Sequence, residues 1–388
     1  MPSQNIQIQW KSILLHCVPS GMVLALLFVR DPIRWWFFEH PYLRMIYLLI
    51  FASATAFMLV PLVSILARYI GAFDHPDQRK VHRTPTPLLG GLAIFIAFAI
   101  TVLINNIYTD ELKGVAIAGT LVFLVGMIDD IRPFSAKLRL LVQVVAVGIM
   151  IEYGVRVSFM PDSWWGDLLE ILFTMIWMIG ITNAVNFLDG LDGLASGTVM
   201  ISAAAFSLIA LQTGQPYMRF LSIALMGSCL GFLPYNFRRG KPAGIFLGDG
   251  GSNFIGFTIA AIGVLGQWGN GSGSVNLIIP ILILGVPIFD TTLTTIMRIK
   301  NRQVKSFSEW VHFTGKDHFH HRLVEIGFSP KLAVFAIYMV TISLGIGAAV
   351  LRNSEGVDAF LLLLQAFILF SMIGYFMVFV KQHFRLKS

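Results

Sequence analysis

The sequence predicts an all-α fold, a polytopic membrane helix bundle of about 11–12 transmembrane helices. Of the 388 residues, 56% are hydrophobic and only 13% are charged, and the mean hydropathy is +0.75. A soluble domain carries about 25% charged residues. Apolar runs long enough to cross a bilayer, roughly 20 residues each, recur along the whole chain. The helices therefore form a membrane domain rather than an anchor for a soluble one.

Twelve apolar segments are found on this scale. The first is interrupted by Pro19, and the one at 253–267 is short. We divide the chain into an N-terminal extension (1–43) with one weakly defined membrane segment and a membrane domain (44–388). The segments are predicted near 12–29, 44–70, 88–107, 114–128, 138–154, 168–185, 194–211, 219–235, 253–267, 277–299, 331–350 and 358–380.

Loop charge predicts the orientation of these helices. Six alternating stretches hold 19 of the 28 Lys and Arg residues, whereas the loops between them hold four. By the positive-inside rule the first set is cytoplasmic. The net charge of +7 is then explained by topology, and no nucleic-acid partner is expected. The cytoplasmic stretches are 71–87, 129–139, 186–193, 236–252, 298–331 and the tail 381–388.

Four polar clusters lie at this cytoplasmic face, at 126–130, 183–193, 246–252 and 317–322. Carboxylates and imidazoles are costly near hydrocarbon. Their convergence at one side of the membrane predicts an active site there, rather than scattered surface charge.

The cluster at 183–193 is the most specific. Polar side chains recur at every third position where a helix leaves the membrane, so neighbours in the series lie close together. Their oxygens are hard ligands of the type that Mg²⁺ prefers. The alternative is an Asp/Gly-rich turn, although turns seldom place Asn inside the apolar run. The series is Asn183, Asn186, Asp189 and Asp192.

Two further clusters contribute carboxylates. Asp129 and Asp130 end a helix where the macrodipole is already negative, a conflict that a nearby cation would relieve. The alternative is a solvated helix end at the membrane boundary. Asp249 lies in a glycine-rich loop of the kind whose N–H groups can point at phosphate oxygens, although such a loop alone is weakly specific.

The fourth cluster lies in a long basic loop and contains His318, His320, His321 and Arg322. Imidazole and guanidinium donors suit a diphosphate, and the nearby hard carboxylates favour magnesium over zinc. The alternative is a basic loop that meets anionic lipid headgroups. Lys80, in the first cytoplasmic loop, is explained equally well by phosphate binding and by topology.

Taken in this order and on this topology, the motifs resemble those of the polyprenyl-phosphate N-acetylhexosamine-1-phosphate transferase family (glycosyltransferase family 4). The resemblance covers residues 44–380 and is strongest to bacterial members that use undecaprenyl phosphate and N-acetylglucosamine. It rests on Asp-x-Pro-Asp-x-Arg-Lys-x-His from Asp74 to His82, the aspartate pair, Asn-x-x-Asn-x-x-Asp-Gly-x-Asp-Gly, Gly-Asp-x-Gly-Ser, and His-x-His-His at 318–321.

The resemblance implies that undecaprenyl phosphate attacks the β-phosphate of a UDP-N-acetylhexosamine. N-acetylglucosamine-1-phosphate would be transferred, and the products would be undecaprenyl-diphospho-sugar and UMP, initiating cell-surface glycans such as the O-antigen of lipopolysaccharide. Mg²⁺, or Mn²⁺, would be the cofactor. The implied location is the bacterial cytoplasmic (inner) membrane, with a multi-pass chain, an active site facing the cytoplasm, and homodimer formation left open.

The resemblance also implies roles for single residues. Asn186 and Asp249 would hold the metal ion, and Asp129 and Asp130 would face the lipid phosphate. The nucleotide site would be shaped by Asp189 and Asp192, with Phe246 against the uracil. The diphosphate or UMP would be contacted by His318, His320, His321 and Arg322, and further substrate-binding positions would be Lys80, Asn183 and Arg302.

Two alternatives are weighed against this function. The sister phospho-N-acetylmuramoyl-pentapeptide transferases carry consecutive histidines followed by Phe-Glu, whereas Phe319 interrupts the run here and Arg322 follows it. A secondary transporter would place its ionisable residues near the bilayer midplane, in paired halves. Here they gather at one face and the halves show no symmetry.

The topology yields a direct prediction, since seven Lys or Arg residues lie between 298 and 331. A single cysteine placed between 300 and 330 should resist an impermeant thiol reagent in intact cells and react after permeabilisation. Labelling in intact cells would contradict the cytoplasmic assignment.

Overall fold

The computed structural model consists almost entirely of helices. It describes residues 20–21, 24, 40–75, 84–107, 109–269, 273–306, 309–310, 313, 315, 317–352 and 356–385. The helices are α1 Pro41–Ile70, α2 Gly90–Ile104, α3 Asp110–Ile131, α4 Ala136–Glu152, α5 Trp164–Leu188, α6 Leu194–Gln212, α7 Pro216–Asn236, α8 Gly248–Leu265, α9 Gly273–Ile283, α10 Gly285–Lys300, α11 Phe319–Glu325, α12 Pro330–Leu351 and α13 Gly356–Arg385. Two short strands, β1 (Phe73–Asp74) and β2 (Thr86–Pro87), pair antiparallel between α1 and α2.

Each predicted apolar segment from residue 44 onward coincides with one of these helices, except that the segment at 277–299 is divided. A bend of 77° separates α9 from α10 at Leu284. The segment at 12–29 lies outside the described residues, apart from Ser20, Gly21 and Leu24.

The described helices confirm the all-α, multi-pass membrane fold. Seven are long and apolar enough to cross a bilayer, namely α1, α3, α5, α6, α7, α12 and the Val357–Tyr375 part of α13. The bent pair α9–α10 makes an eighth if it is one span. The three remaining predicted segments correspond to α2, α4 and α8. The division of the chain at residue 43 stays a prediction.

The turn between α3 and α4 sets the register of the polar residues on both helices. Only four residues separate Ile131 from Ala136, and Pro133 among them has no N–H with which to continue a helix. The Ser135 hydroxyl then accepts the Leu138 N–H (3.3 Å) and caps α4. The end of α3 and the first turn of α4 are thereby held side by side.

Helix α8 forms the centre of the bundle and packs on α2, α3 and α5. Nearly all its side chains are buried, and Phe254 contacts the rings of Phe95 and Phe123 with centroids 5.1 and 6.0 Å apart. At its first turn the backbones touch through glycine. A Cβ on Gly91 would lie 2.1 Å from Gly251 Cα, which is closer than packing permits.

The short strands join the first loop to the start of α8. Phe246 N–H donates to the Pro87 carbonyl (2.9 Å), and the Phe246 carbonyl accepts the Gly90 N–H (2.9 Å). Because β2 leads directly into α2, these bonds fix the glycine-rich loop against the bundle.

The glycine contact between α2 and α8 predicts a position-specific loss of stability. Gly91→Ala should lower the thermal unfolding midpoint in detergent, because overpacking costs about 1–3 kcal/mol. Gly148→Ala is the matched control, since a methyl group added at Gly148 would have no heavy atom within 4 Å. Equal midpoints for the two variants would contradict this packing.

Candidate active site

The acidic end of α3 is bonded to the start of α8. The Asp130 carboxylate accepts the N–H groups of Asp249 (2.7 Å) and Gly250 (3.1 Å). A carboxylate at a helix N-terminus satisfies free N–H groups and complements the macrodipole. The unfavourable placement of an acid at the end of one helix is thus offset by the start of another. Both oxygens of Asp130, predicted to face a lipid phosphate, are used in this cap.

Arg139, in the first turn of α4, lies between two carboxylates. One Nη1 atom donates to Asp129 Oδ2 (3.0 Å) and Asp249 Oδ2 (2.9 Å). The Phe134 N–H also donates to Asp129, which is buried. Arg139 was not predicted as a site residue, although it follows the aspartate pair in the first turn of the next helix.

Asn186 and Asp249, the predicted metal ligands, lie in one compartment. Asn186 Nδ2 donates to Asp249 Oδ1 (3.0 Å) and to Ser252 Oγ (2.8 Å). These residues stand on α5 and α8, 63 positions apart. The predicted juxtaposition is therefore present, and the amide of Asn186 forms the link between the two helices.

A second polar layer lies one helical turn deeper. Asn183 Nδ2 donates to Gln143 Oε1 (2.7 Å), and Gln143 Nε2 lies 3.3 Å from Asn253 Oδ1. Asn183, predicted to bind substrate, is thereby committed to a neighbouring side chain. This layer supports the residues above it by linking α4, α5 and α8.

Asp189 caps the end of α5 and is partly buried. Burial, together with the negative charges of Asp249, Asp130 and Asp192, raises the pKa of Asp189 well above its ordinary value. Within the described residues no donor is bonded to its carboxylate. Asp189 is therefore a carboxylate whose charge the described protein leaves uncompensated.

Asp192 and the following turn are bonded to the loop before α8. The Asp192 carboxylate accepts the Ala243 N–H (3.0 Å), and Asn236 Oδ1 accepts the Gly193 N–H (2.6 Å). Gly193 has a φ of 79°, in the left-handed region where a side chain would be strained. The turn thus brings Asp189 toward the same end of the bundle as Asp249.

The histidine segment packs against the end of α5. The His318 ring lies 5.1 Å from Phe187, and a Cβ on Gly190 would lie 2.3 Å from His320 Nε2. His320 is fully buried, and neither ring nitrogen has a hydrogen-bond partner among the described residues. Burial, the nearby His321 and His318 lower the pKa of His320 to about 3, against the opposing charge of Asp290. The buried ring of His320 thus lies against Gly190, which follows Asp189 in the chain.

The remaining predicted residues lie outside this cluster or are engaged elsewhere. Arg322 is buried and its Nε donates to the Asp317 carbonyl (2.6 Å). Arg302 is exposed in the turn after α10, and no described contact joins it to the cluster. Phe246 is partly buried beside β2. Lys80 lies outside the described residues.

The donor set fits a cation that has few protein ligands. Within the described ranges, no three His, Cys, Asp or Glu side chains are grouped so as to hold a metal ion. However, the carboxylates of Asp129, Asp130, Asp189 and Asp249 lie near one another. Arg139 is the one described cation bonded to this group. Magnesium usually binds through one or two carboxylates, several waters and substrate phosphates.

Comparisons with known proteins identify the class of enzyme. The model of glycosyl transferase family 4 matches residues 112–267, which include most of α3, all of α5 and α8, and the aspartates Asp129, Asp130, Asp189, Asp192 and Asp249. A probable undecaprenyl-phosphate N-acetylglucosaminyl 1-phosphate transferase of Bacillus subtilis is 36% identical over 318 residues, covering 80% of this chain and 86% of the relative. This chain belongs to glycosyl transferase family 4, and the predicted family is confirmed.

Other relatives show the breadth of the family. A decaprenyl-phosphate N-acetylglucosaminephosphotransferase of Mycolicibacterium smegmatis is 35% identical over 321 residues, covering 74% of this chain and 77% of the relative. A phospho-N-acetylmuramoyl-pentapeptide-transferase of Limosilactobacillus fermentum is 30% identical over 278 residues, covering 65% of this chain and 81% of that protein.

Since no described donor offsets the charge of Asp189, we expect its replacement by a neutral residue to stabilise the protein. The pKa of Asp189 is higher in the folded protein than in the unfolded chain, so the protonated carboxyl favours the folded state. This contribution is fully present below the unfolded-state pKa and is lost as the pH rises through the folded-state pKa. Asp189→Asn should therefore raise the unfolding midpoint at pH 8 by about 2 °C or more, since roughly 1 kcal/mol shifts a large domain by about 2–4 °C.

The gain should shrink as the pH is lowered to 5, where the parent carboxylate is closer to neutral. Asp162→Asn is the control, because Asp162 is exposed at the opposite end of the bundle. A lower midpoint at pH 8, or a gain that does not change with pH, would contradict the assignment.

Proposed function

We propose that this protein transfers N-acetylglucosamine-1-phosphate from UDP-N-acetylglucosamine to undecaprenyl phosphate. The products are undecaprenyl-diphospho-N-acetylglucosamine and UMP. The observation that carries the proposal is the contact of Asn186 with Asp249 inside a carboxylate cluster, at the ends of apolar helices. The names of the Bacillus subtilis and mycobacterial relatives support the sugar and the polyprenyl acceptor.

The position of the cluster suits one lipid substrate and one water-soluble substrate. Asp129, Asn186 and Asp249 stand at the last or first turns of α3, α5 and α8, which puts them at one end of the bundle. A polyprenyl chain can lie along the apolar helices while its phosphate reaches this end. We place this end at the cytoplasmic side, where nucleotide-activated sugars are available, on the basis of loop charge.

The reaction requires positioning and charge neutralisation more than covalent help from the protein. An oxygen of the lipid phosphate attacks the β-phosphorus, and the bond from that phosphorus to the bridging oxygen of UMP breaks. The second pKa of a monoester phosphate is near 6, so the lipid phosphate is already largely dianionic at neutral pH. Asp129 can therefore orient the nucleophile without acting as a base.

Asn186 and Asp249 would hold the magnesium or manganese ion, and Asp189 lies close enough to act on it by charge. When bound, the ion offsets the negative charge of the diphosphate. Arg139 bridges Asp129 and Asp249 and keeps the two carboxylates together. His320, with unpaired ring nitrogens beside Gly190, is suited to contact the diphosphate or UMP.

The sister activity on phospho-N-acetylmuramoyl-pentapeptide is the second candidate, since one relative of that name shares 30% identity. Phe319 argues against it. This residue separates His318 from His320 and packs into the bundle against Phe289 with ring centroids 5.6 Å apart. Transport is opposed by the gathering of the polar residues at one end of the helices.

The decisive experiment measures UMP release by purified protein with undecaprenyl phosphate, UDP-N-acetylglucosamine and Mg²⁺. The parent should release UMP, and chelation of the metal should stop the reaction. Asp249→Asn should fold normally but lose more than about 100-fold in rate, the scale expected for removal of a preorganised electrostatic partner.

Asp162→Asn, at the opposite end of the bundle, should keep the parent rate. Turnover by Asp249→Asn at the parent rate would remove Asp249 from the metal site. Release of UMP only with a different UDP-sugar would reassign the donor.

A further inference from the structure

A buried carboxylate on α10 lies outside the cluster described above. Asp290 is completely buried, and its Oδ1 accepts the Phe319 N–H at 2.5 Å. Its Oδ2 lies 3.1 Å from His318 Nδ1. A carboxylate inside an apolar bundle is costly unless it is paired and hydrogen-bonded. Here both oxygens are bonded to consecutive residues of the histidine segment.

The network continues from His318 to Arg298, and through Asp317 to Arg322. His318 Nε2 lies 3.4 Å from Arg298 Nη2, and Arg298 makes two bonds of 2.7 and 2.8 Å with Asp317. Burial alone raises the pKa of Asp317, but the paired Arg298 outweighs this and holds that pKa below its ordinary value. Arg322 donates to the backbone of Asp317.

Both ring nitrogens of His318 have partners in this network. The bonding partners assign the tautomer, since Nδ1–H donates to Asp290 and Nε2 accepts from Arg298. Both ring nitrogens of His318 are therefore bonded within the protein, and neither is free to bind a substrate.

His320, two residues further on, has the opposite environment. In the part of the chain that the structure describes, its ring nitrogens have no hydrogen-bond partner, although the ring is fully buried against Gly190. An unsatisfied buried donor or acceptor costs free energy unless a ligand or water completes it. The anchored His318 and Phe319 therefore determine where the unpaired ring of His320 stands.

We propose that Asp290 is a positioning residue for the nucleotide site: it holds His318 and Phe319 so that His320 is presented to the diphosphate of the bound nucleotide. This inference rests on the proposed function. Asp290 acts through His320 and touches no substrate itself. Because it lies in the first turns of α10 after the bend at Leu284, the placement of α10 sets the placement of the histidines.

A double-mutant cycle with UDP as the probe tests this role. In Asp290→Asn the side-chain NH2 would face either the Nδ1–H of His318 or the N–H of Phe319, so one of the two bonds is lost with little change in volume. Asp290→Asn and His320→Ala should each weaken UDP binding at least about tenfold, which corresponds to about 1.4 kcal/mol. The double variant should bind no more than twofold more weakly than His320→Ala alone, because the two changes remove one interaction.

Thr291→Val is the matched control, since Thr291 is the next residue on α10 and its hydroxyl has no hydrogen-bond partner within the described ranges. It should bind UDP like the parent protein. If Asp290→Asn does not give monodisperse protein, Asp290→Glu replaces it in the cycle. Glutamate keeps the charge, but its longer side chain cannot meet both His318 and Phe319, so the same affinities are expected.

The outcomes separate this inference from the proposed function. Equal UDP affinity in parent and Asp290→Asn, or additive losses in the double variant, would overturn the positioning role. A weakened, non-additive pattern without UMP release by the parent would support the positioning role and reject the transferase. Failure of the parent to bind UDP would overturn both.

Discussion

The site depends on the bonding of one residue, Asp249, at the start of α8. Its backbone N–H donates to Asp130 of α3, while its two carboxylate oxygens meet Asn186 of α5 and Arg139 of α4. Three consecutive helices are thereby joined to one residue that lies at least 63 positions further along the chain. Hydrogen bonds to charged groups are strong where water is scarce. This junction fixes the relative positions of the polar residues more tightly than apolar packing could.

The same junction carries an excess of negative charge. Arg139 spans Asp129 and Asp249, but no described donor is bonded to Asp189, and its pKa is raised by burial and by neighbouring carboxylates. An arrangement of this kind lowers stability in the free protein. In the proposed function, this negative charge would be offset by a divalent cation for which the protein supplies few ligands and the substrate phosphates supply the rest.

Much of this architecture is visible in the sequence, because span length and loop charge are local properties. The apolar runs from residue 44 onward predict the helices, and the spacing of Asn186 and Asp189 predicts a polar helix end. Contacts between residues that are far apart in the sequence produce no local pattern of this kind. Arg139 and Asp249 are 110 residues apart, and the break at Leu284 lies inside one continuous apolar run. Asp290 is recognisable in the sequence as a lone carboxylate in an apolar segment, but a count of apolar residues does not single it out.

The carboxylates and the histidine segment of the site are held in place by different contacts. This difference determines which of the two can move when substrates bind. The carboxylates are joined directly between α3, α4, α5 and α8, all of which meet at the centre of the bundle. The histidine segment is instead tied to α10 through Asp290 and Arg298, and α10 is set at an angle to α9. A shift of α10 would carry His320 toward or away from Gly190 while Asn186 and Asp249 stayed bonded. The carboxylate cluster is thus the fixed part of the site, and the position of the histidine segment depends on the surrounding helices.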